Sequence, residues 1–141
     1  MKDRRGFSLL ELLIVVAIIL IIATIAIPSL LKSKQSTNET AAVATMKTIN
    51  TAQVTYQSTA GTYGTLEALI AEKLIDESFL RPKAGYVYTI SAAGYDYTVE
   101  ANPVSSNAGR YGYYTTPDAV IRYSTNASLA PTPAMAGRSV N

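Results

Sequence analysis

The pattern of apolar and polar positions divides the chain at about Leu31. From Phe7 to Leu31, "FSLLELLIVVAIILIIATIAIPSLL" is apolar on every side, and Glu11 is its only charged residue. As an α-helix that stretch is roughly 37 Å long at about 1.5 Å per residue, more than the ~30 Å hydrocarbon core of a bilayer. Beyond Leu31 the pattern becomes one-sided. In "KSKQSTNETAAVATMKTINTAQVTYQSTAG", Ala42, Met46, Ile49 and Tyr56 fall at helical spacing, with Gln53 interrupting the stripe. No Pro or Gly lies from Ser29 to Ala60, so both parts read as one helix of about 50 residues. Gly61 closes it as a C-cap.

After Gly61 the period changes. "GTYGTLEALIAEKLIDESFL" has Gly61 and Gly64 as breakers and Thr65 as N-cap of a short helix whose apolar face is Leu66, Leu69, Ile70 and Leu74. "DESFL" reads as the turn that follows. Alternation of period two then marks strands. "YVYTIS" puts Tyr86, Tyr88 and Ile90 on one face. "YDYTVEA" points Tyr95, Tyr97, Val99 and Ala101 inward and Asp96, Thr98 and Glu100 outward, with "AAG" as the hairpin loop. "RYGYYTT" and "AVIRYS" form a second hairpin turned by "TPDA", with Pro at the second turn position. "TNASLAPTPAMAGRSVN" is rich in Pro, Ala, Ser and Thr and reads as a mobile tail. The fold class is α+β: a long N-terminal helix, its first half transmembrane, packed on a three- to four-stranded antiparallel sheet that leaves its other face wet.

Charge orients this arrangement. The formal net charge is +2. Lys2, Arg4 and Arg5 against Asp3 account for all of that excess, and the rest of the chain is balanced. Such a balance offers no basic surface for nucleic acid. The positive-inside rule keeps the leader cytoplasmic and puts the C-terminal domain outside. The chain has no Cys and no His, which removes thiol nucleophiles, disulfides, most zinc sites and histidine general bases. Ten tyrosines stand against two phenylalanines and no tryptophan, a balance suited to half-buried strands.

Glu11 raises a chemical question, because a lone carboxylate in hydrocarbon needs a partner or a path to water. A glutamate at a helix N-terminus, favoured by the macrodipole and snorkelling to water, is one answer. The flanking residues suggest another. A secretory signal has a shorter apolar region followed by a small-residue cleavage site, whereas here the small residue, Gly6, precedes the apolar run beside the basic cluster.

In "RRGFSLLELLIVVAIILIIATIAIP" the chain resembles the type IV pilins and their pseudopilin relatives. The resemblance covers about the first 31 residues. It implies a leader peptide, residues 1–6, cut after Gly6 by a prepilin peptidase, and N-methylation of the new amine on Phe7. It implies a hydrophobic transmembrane and filament-core helix over 7–31, in which Glu11 of one subunit pairs with the Phe7 amine of its neighbour. A charge-assisted pair in low dielectric is favourable only when both charges are satisfied, so the pair would act chiefly as a registry device. Pro28 matches the family's proline and would kink or locally open the helix near Thr24. Relatives often carry a glycine six to eight residues earlier, where this chain has Leu20, Ile21 and Ile22. The pilin head would span 32–123, with the short helix in the loop between long helix and sheet, and the Pro/Ser/Thr/Ala-rich tail 124–141.

The implied function is a structural subunit that polymerises into an extracellular type IV pilus, with adhesion and twitching motility as its uses. The alternative is a pseudopilin of a type II secretion or DNA-uptake system. Partners implied are further copies of the chain, the prepilin peptidase, the assembly platform with its ATPase, and the inner membrane before assembly. No cofactor and no metal are expected. A calcium loop would need several carboxylates, and the last 24 residues hold one acid, Asp118. Glu67, Glu72, Asp76 and Glu77 read as a solvated face rather than catalytic acids. Thr125, Ser128, Thr132 and Ser139 are candidate O-glycan acceptors in the tail.

Overall fold

The computed structural model describes residues 6–124 and, further on, the backbone of residues 138 and 139. The chain separates into two units, 1–33 and 34–141. Helix α1 spans Leu9–Ala60 without a break, with Pro28 inside it. In the first unit every large apolar side chain from Leu9 to Leu30 is exposed, between 46% and 82%. This part of α1 is long and apolar enough to cross a membrane, and none of its apolar window is buried among the described residues.

In the second unit, Gly61 ends α1 as expected. Its φ of 77° is the left-handed conformation glycine adopts without penalty, and its N–H donates to the Gln57 carbonyl at 2.9 Å. Helix α2, Leu66–Ala71, starts at Thr65, whose side chain accepts the N–H of Ala68. "DESFL" forms a 3₁₀ turn over Glu77–Leu80, capped by Asp76, whose carboxylate accepts the Ser78 N–H at 2.7 Å.

The sheet is antiparallel in the order β1-β2-β3-β4-β5. Its strands are β1 Tyr86–Ala93, β2 Asp96–Pro103, β3 Gly112–Thr115, β4 Arg122–Ser124 and β5 Arg138–Ser139. Four of these match the expected strands. The fifth lies inside the Pro/Ser/Thr/Ala-rich segment 124–141, where no strand is expected: Arg122 pairs with Ser139 and Tyr123 with Arg138. Two residues carry no period, which is why the pattern is silent about β5. The first hairpin also differs. Ala92 and Ala93 belong to β1, and Ala93 pairs with Asp96 around a two-residue turn at Gly94 and Tyr95, with Gly94 at φ 63°. Tyr95 is therefore a turn residue and 79% exposed, not an inward strand residue. The second turn forms as read, with the Ala119 N–H donating to the Thr116 carbonyl at 2.9 Å.

The core lies between the later part of α1 and one face of the sheet. Ala42, Met46 and Ile49 are fully buried, as are Tyr86 and Val99. Gln53 is also fully buried, so it extends the stripe rather than interrupting it. Its amide donates to the Gly64 carbonyl at 2.7 Å and its Oε1 accepts the Gly64 N–H at 3.0 Å. One turn earlier, Asn50 accepts the Tyr97 hydroxyl at 3.0 Å and donates to Thr115 Oγ1 at 3.1 Å, linking α1 to β2 and β3. Glu39 receives the Arg110 backbone N–H and both arms of its guanidinium at 2.8–3.0 Å. These polar groups are thus paired, as burial demands, whereas the Tyr88 hydroxyl and Asn102 Oδ1 are buried with no hydrogen-bond partner among the described residues.

Candidate functional site at the start of the long helix

The first N–H groups of a helix lack partners within it, and the sequence "SLLE" supplies two. Leu10 N–H donates to Ser8 Oγ at 3.2 Å, and Ser8 N–H donates to Glu11 Oε2 at 2.9 Å. This is a variant of the capping box in which the serine oxygen takes the N–H of Leu10 rather than that of Glu11. It turns the Glu11 carboxylate back toward the Phe7–Ser8 peptide. The S-x-x-E spacing is the signal that a reading focused on charge passes over, and it adds Ser8 to the site.

Gly6 and Phe7 precede the helix. Phe7 is exposed, and a Cβ at Gly6 would meet no atom within 4 Å. Neither packing nor a left-handed backbone conformation requires glycine there. Lys2, Arg4 and Arg5 lie outside the described residues.

Pro28 has no N–H, so the carbonyl one turn back, on Thr24, lacks its helical donor. The Thr24 hydroxyl is engaged separately, donating to the Ile21 carbonyl at 2.7 Å. The helical assignment nonetheless continues through Pro28. Thus Gly6, Phe7, Ser8 and Glu11 cluster at the helix start, and Pro28 lies several turns on.

The remaining candidates do not join this site. Thr125, Ser128 and Thr132 fall outside the described residues, and Ser139 is known by its backbone in β5. Glu67, Glu72, Asp76 and Glu77 are all exposed. Among the described residues, no group of three or more acids gathers in a metal-holding arrangement.

Residues 1–27 match the family model of the prokaryotic N-terminal methylation motif. No curated protein and no solved structure matches the chain. The motif supports a pilin-like or pseudopilin protein, and the long apolar helix with the antiparallel sheet packed on its continuation matches the α+β pilin fold. The motif points to a structural role, and with the apolar helix it fits a membrane-anchored precursor.

Proposed function

We propose that the chain is a type IV pilin, cut between Gly6 and Phe7, methylated on Phe7 and polymerised through residues 7–31 into an extracellular filament. The observation that carries this reading is the geometry of Glu11. Its carboxylate is already folded back to the Ser8 N–H, one residue from the nitrogen that cleavage would free. A neighbouring subunit's Phe7 amine could then engage the second carboxylate oxygen while the first keeps the helix capped. The open surroundings of Gly6 add support: glycine there has no packing role, and a peptidase that accepts no side chain at that position gives it one.

The partners follow from this reading: other copies of the chain, a prepilin peptidase, an assembly platform with its ATPase, and the inner membrane before export. The pseudopilin reading shares the entire N-terminus. The paucity of acids near the C-terminus weighs toward the pilus, because major secretion pseudopilins often end in an Asp-rich calcium loop. Gly6→Val tests the proposal. It should leave a full-length precursor in the membrane and no sheared filaments. Mature filaments from cells carrying only that variant would overturn it.

A further inference from the structure

The two edges of the sheet are treated differently. Beside β4 lies β5. At the other edge lies β1, eight residues long and free of charge, Pro and Gly: "YVYTISAA". Edge strands are usually guarded by a charge, a proline, a bulge or a covering segment, because unpaired backbone groups attract another strand.

The register shows which groups are free. Ala93 pairs with Asp96 across the tight turn, and Gly85 accepts the Val104 N–H at 2.9 Å. By alternation, Val87, Thr89, Ser91 and Ala93 direct their N–H and C=O toward β2, while Tyr86, Tyr88, Ile90 and Ala92 direct theirs outward. Those of Tyr86 are taken by Lys83, at 2.8 and 3.0 Å. Among the described residues no hydrogen bond reaches the outward groups of Tyr88, Ile90 or Ala92. The solvent side of the same strand carries Val87, Thr89, Ser91 and Ala93, all exposed and all uncharged.

We propose that β1 is a self-association edge, pairing antiparallel with β1 of a second copy of this chain. The strand is complementary to itself in one register. With Ile90 opposite Ile90 of the second copy, Tyr88 faces Ala92 at both ends, and these three pairs exchange about six backbone hydrogen bonds. On the solvent side Val87 then faces Ala93, and Thr89 faces Ser91. No like charges oppose each other anywhere in the pairing, and a two-fold contact of this kind uses one patch twice. The outward groups of every copy are satisfied by the same groups of another, with no foreign strand required. The pairing stands apart from the filament reading, since it involves only the head.

The chain has no cysteine of its own, so the register can be trapped. Thr89 and Ser91 of the second copy form a non-hydrogen-bonded pair with Cβ atoms about 4.5–5.5 Å apart, close enough to disulfide geometry for small adjustments to join them. The experiment uses the full chain in detergent, mixing Thr89→Cys with Ser91→Cys under mild oxidation. The mixture should yield several-fold more disulfide dimer than either variant alone. Equal yields from all three samples, or no dimer in the mixture, would overturn the proposal. A second pair of variants, each added to both cysteine chains, reads the ends of the strand. Val87→Lys with Ala93→Lys should suppress the cross-link, and Val87→Lys with Ala93→Glu should retain it. Equal cross-linking in both backgrounds would contradict the register.

Discussion

The Glu11 carboxylate accepts the Ser8 backbone N–H at 2.9 Å while the Ser8 hydroxyl accepts the Leu10 N–H at 3.2 Å. One side chain thus has two separable properties, a charge and a cap. Gln also serves at the third position of a capping box. Glu11→Gln therefore keeps the cap and loses the charge, and Glu11→Ala loses both.

Both variants should enter the membrane and be processed, because each makes the anchor less polar. Both should assemble filaments at background level if the carboxylate acts through its charge. The yield of sheared filaments checks this. Filaments from Glu11→Gln but not from Glu11→Ala would assign Glu11 a capping role alone.

Gln53 anchors the segment after α1 by receiving and donating to Gly64. Gln53→Leu leaves the buried N–H and C=O of Gly64 without these partners. The expected cost is about 2–6 kcal/mol of head stability, since each of the two buried unsatisfied groups costs about 1–3 kcal/mol. Thr51→Ala, on the exposed side, should change stability by less than about 0.5 kcal/mol. Denaturant unfolding of the full chain in detergent, followed by tyrosine fluorescence, separates the two.

Glu39 holds Arg110 through its backbone and its guanidinium together. Glu39 is buried, but the Arg110 side chain is 48% exposed, so solvent weakens the ionic part. Glu39→Ala should cost about 1–2 kcal/mol, chiefly through the lost hydrogen bonds. Amide exchange should quicken in the loop between β2 and β3, where Gln35 and Asn38 also reach the carbonyls of Ser106 and Ala108. Unchanged exchange in that loop would mean that those two contacts suffice.

Alkali should unfold the head. Burial raises the phenol pKa values of Tyr86, Tyr88, Tyr97 and Tyr113, that of Tyr97 to about 12 from an ordinary 10.0. Between those values the unfolded chain has released a proton that the folded chain keeps, so stability falls as pH rises. The contribution is intact below about pH 10 and is lost toward pH 12. Ultraviolet absorbance of phenolate should then rise together with loss of near-ultraviolet circular dichroism. Complete tyrosine ionisation in a folded head would contradict the burial of these rings.

Legibility in the sequence followed period and local chemistry. Ala42, Met46 and Ile49 repeat at helical spacing, and Tyr97, Val99 and Ala101 alternate, so the long helix and the first strands could be read directly. Gln53 is obscured in the sequence because a polar residue breaks the apolar stripe, whereas the backbone of Gly64 makes an amide the residue that fits there. Tyr95 continued the alternation but fell in the turn, where a two-residue hairpin removes it from the strand. Strand β5 depends on a pairing far from its own sequence neighbours, which two residues cannot announce. Ser8 was legible in principle, through its spacing from Glu11, but the capping box stood behind the more conspicuous charge.

Intact-mass analysis and N-terminal sequencing of the chain recovered from sheared cell-surface material test directly whether it is cut and methylated at Phe7. A processed pilin lacks residues 1–6 and begins at Phe7 with one methyl group on its amine. A surface chain that retains Met1, or one that begins at any residue other than Phe7, would contradict the pilin reading.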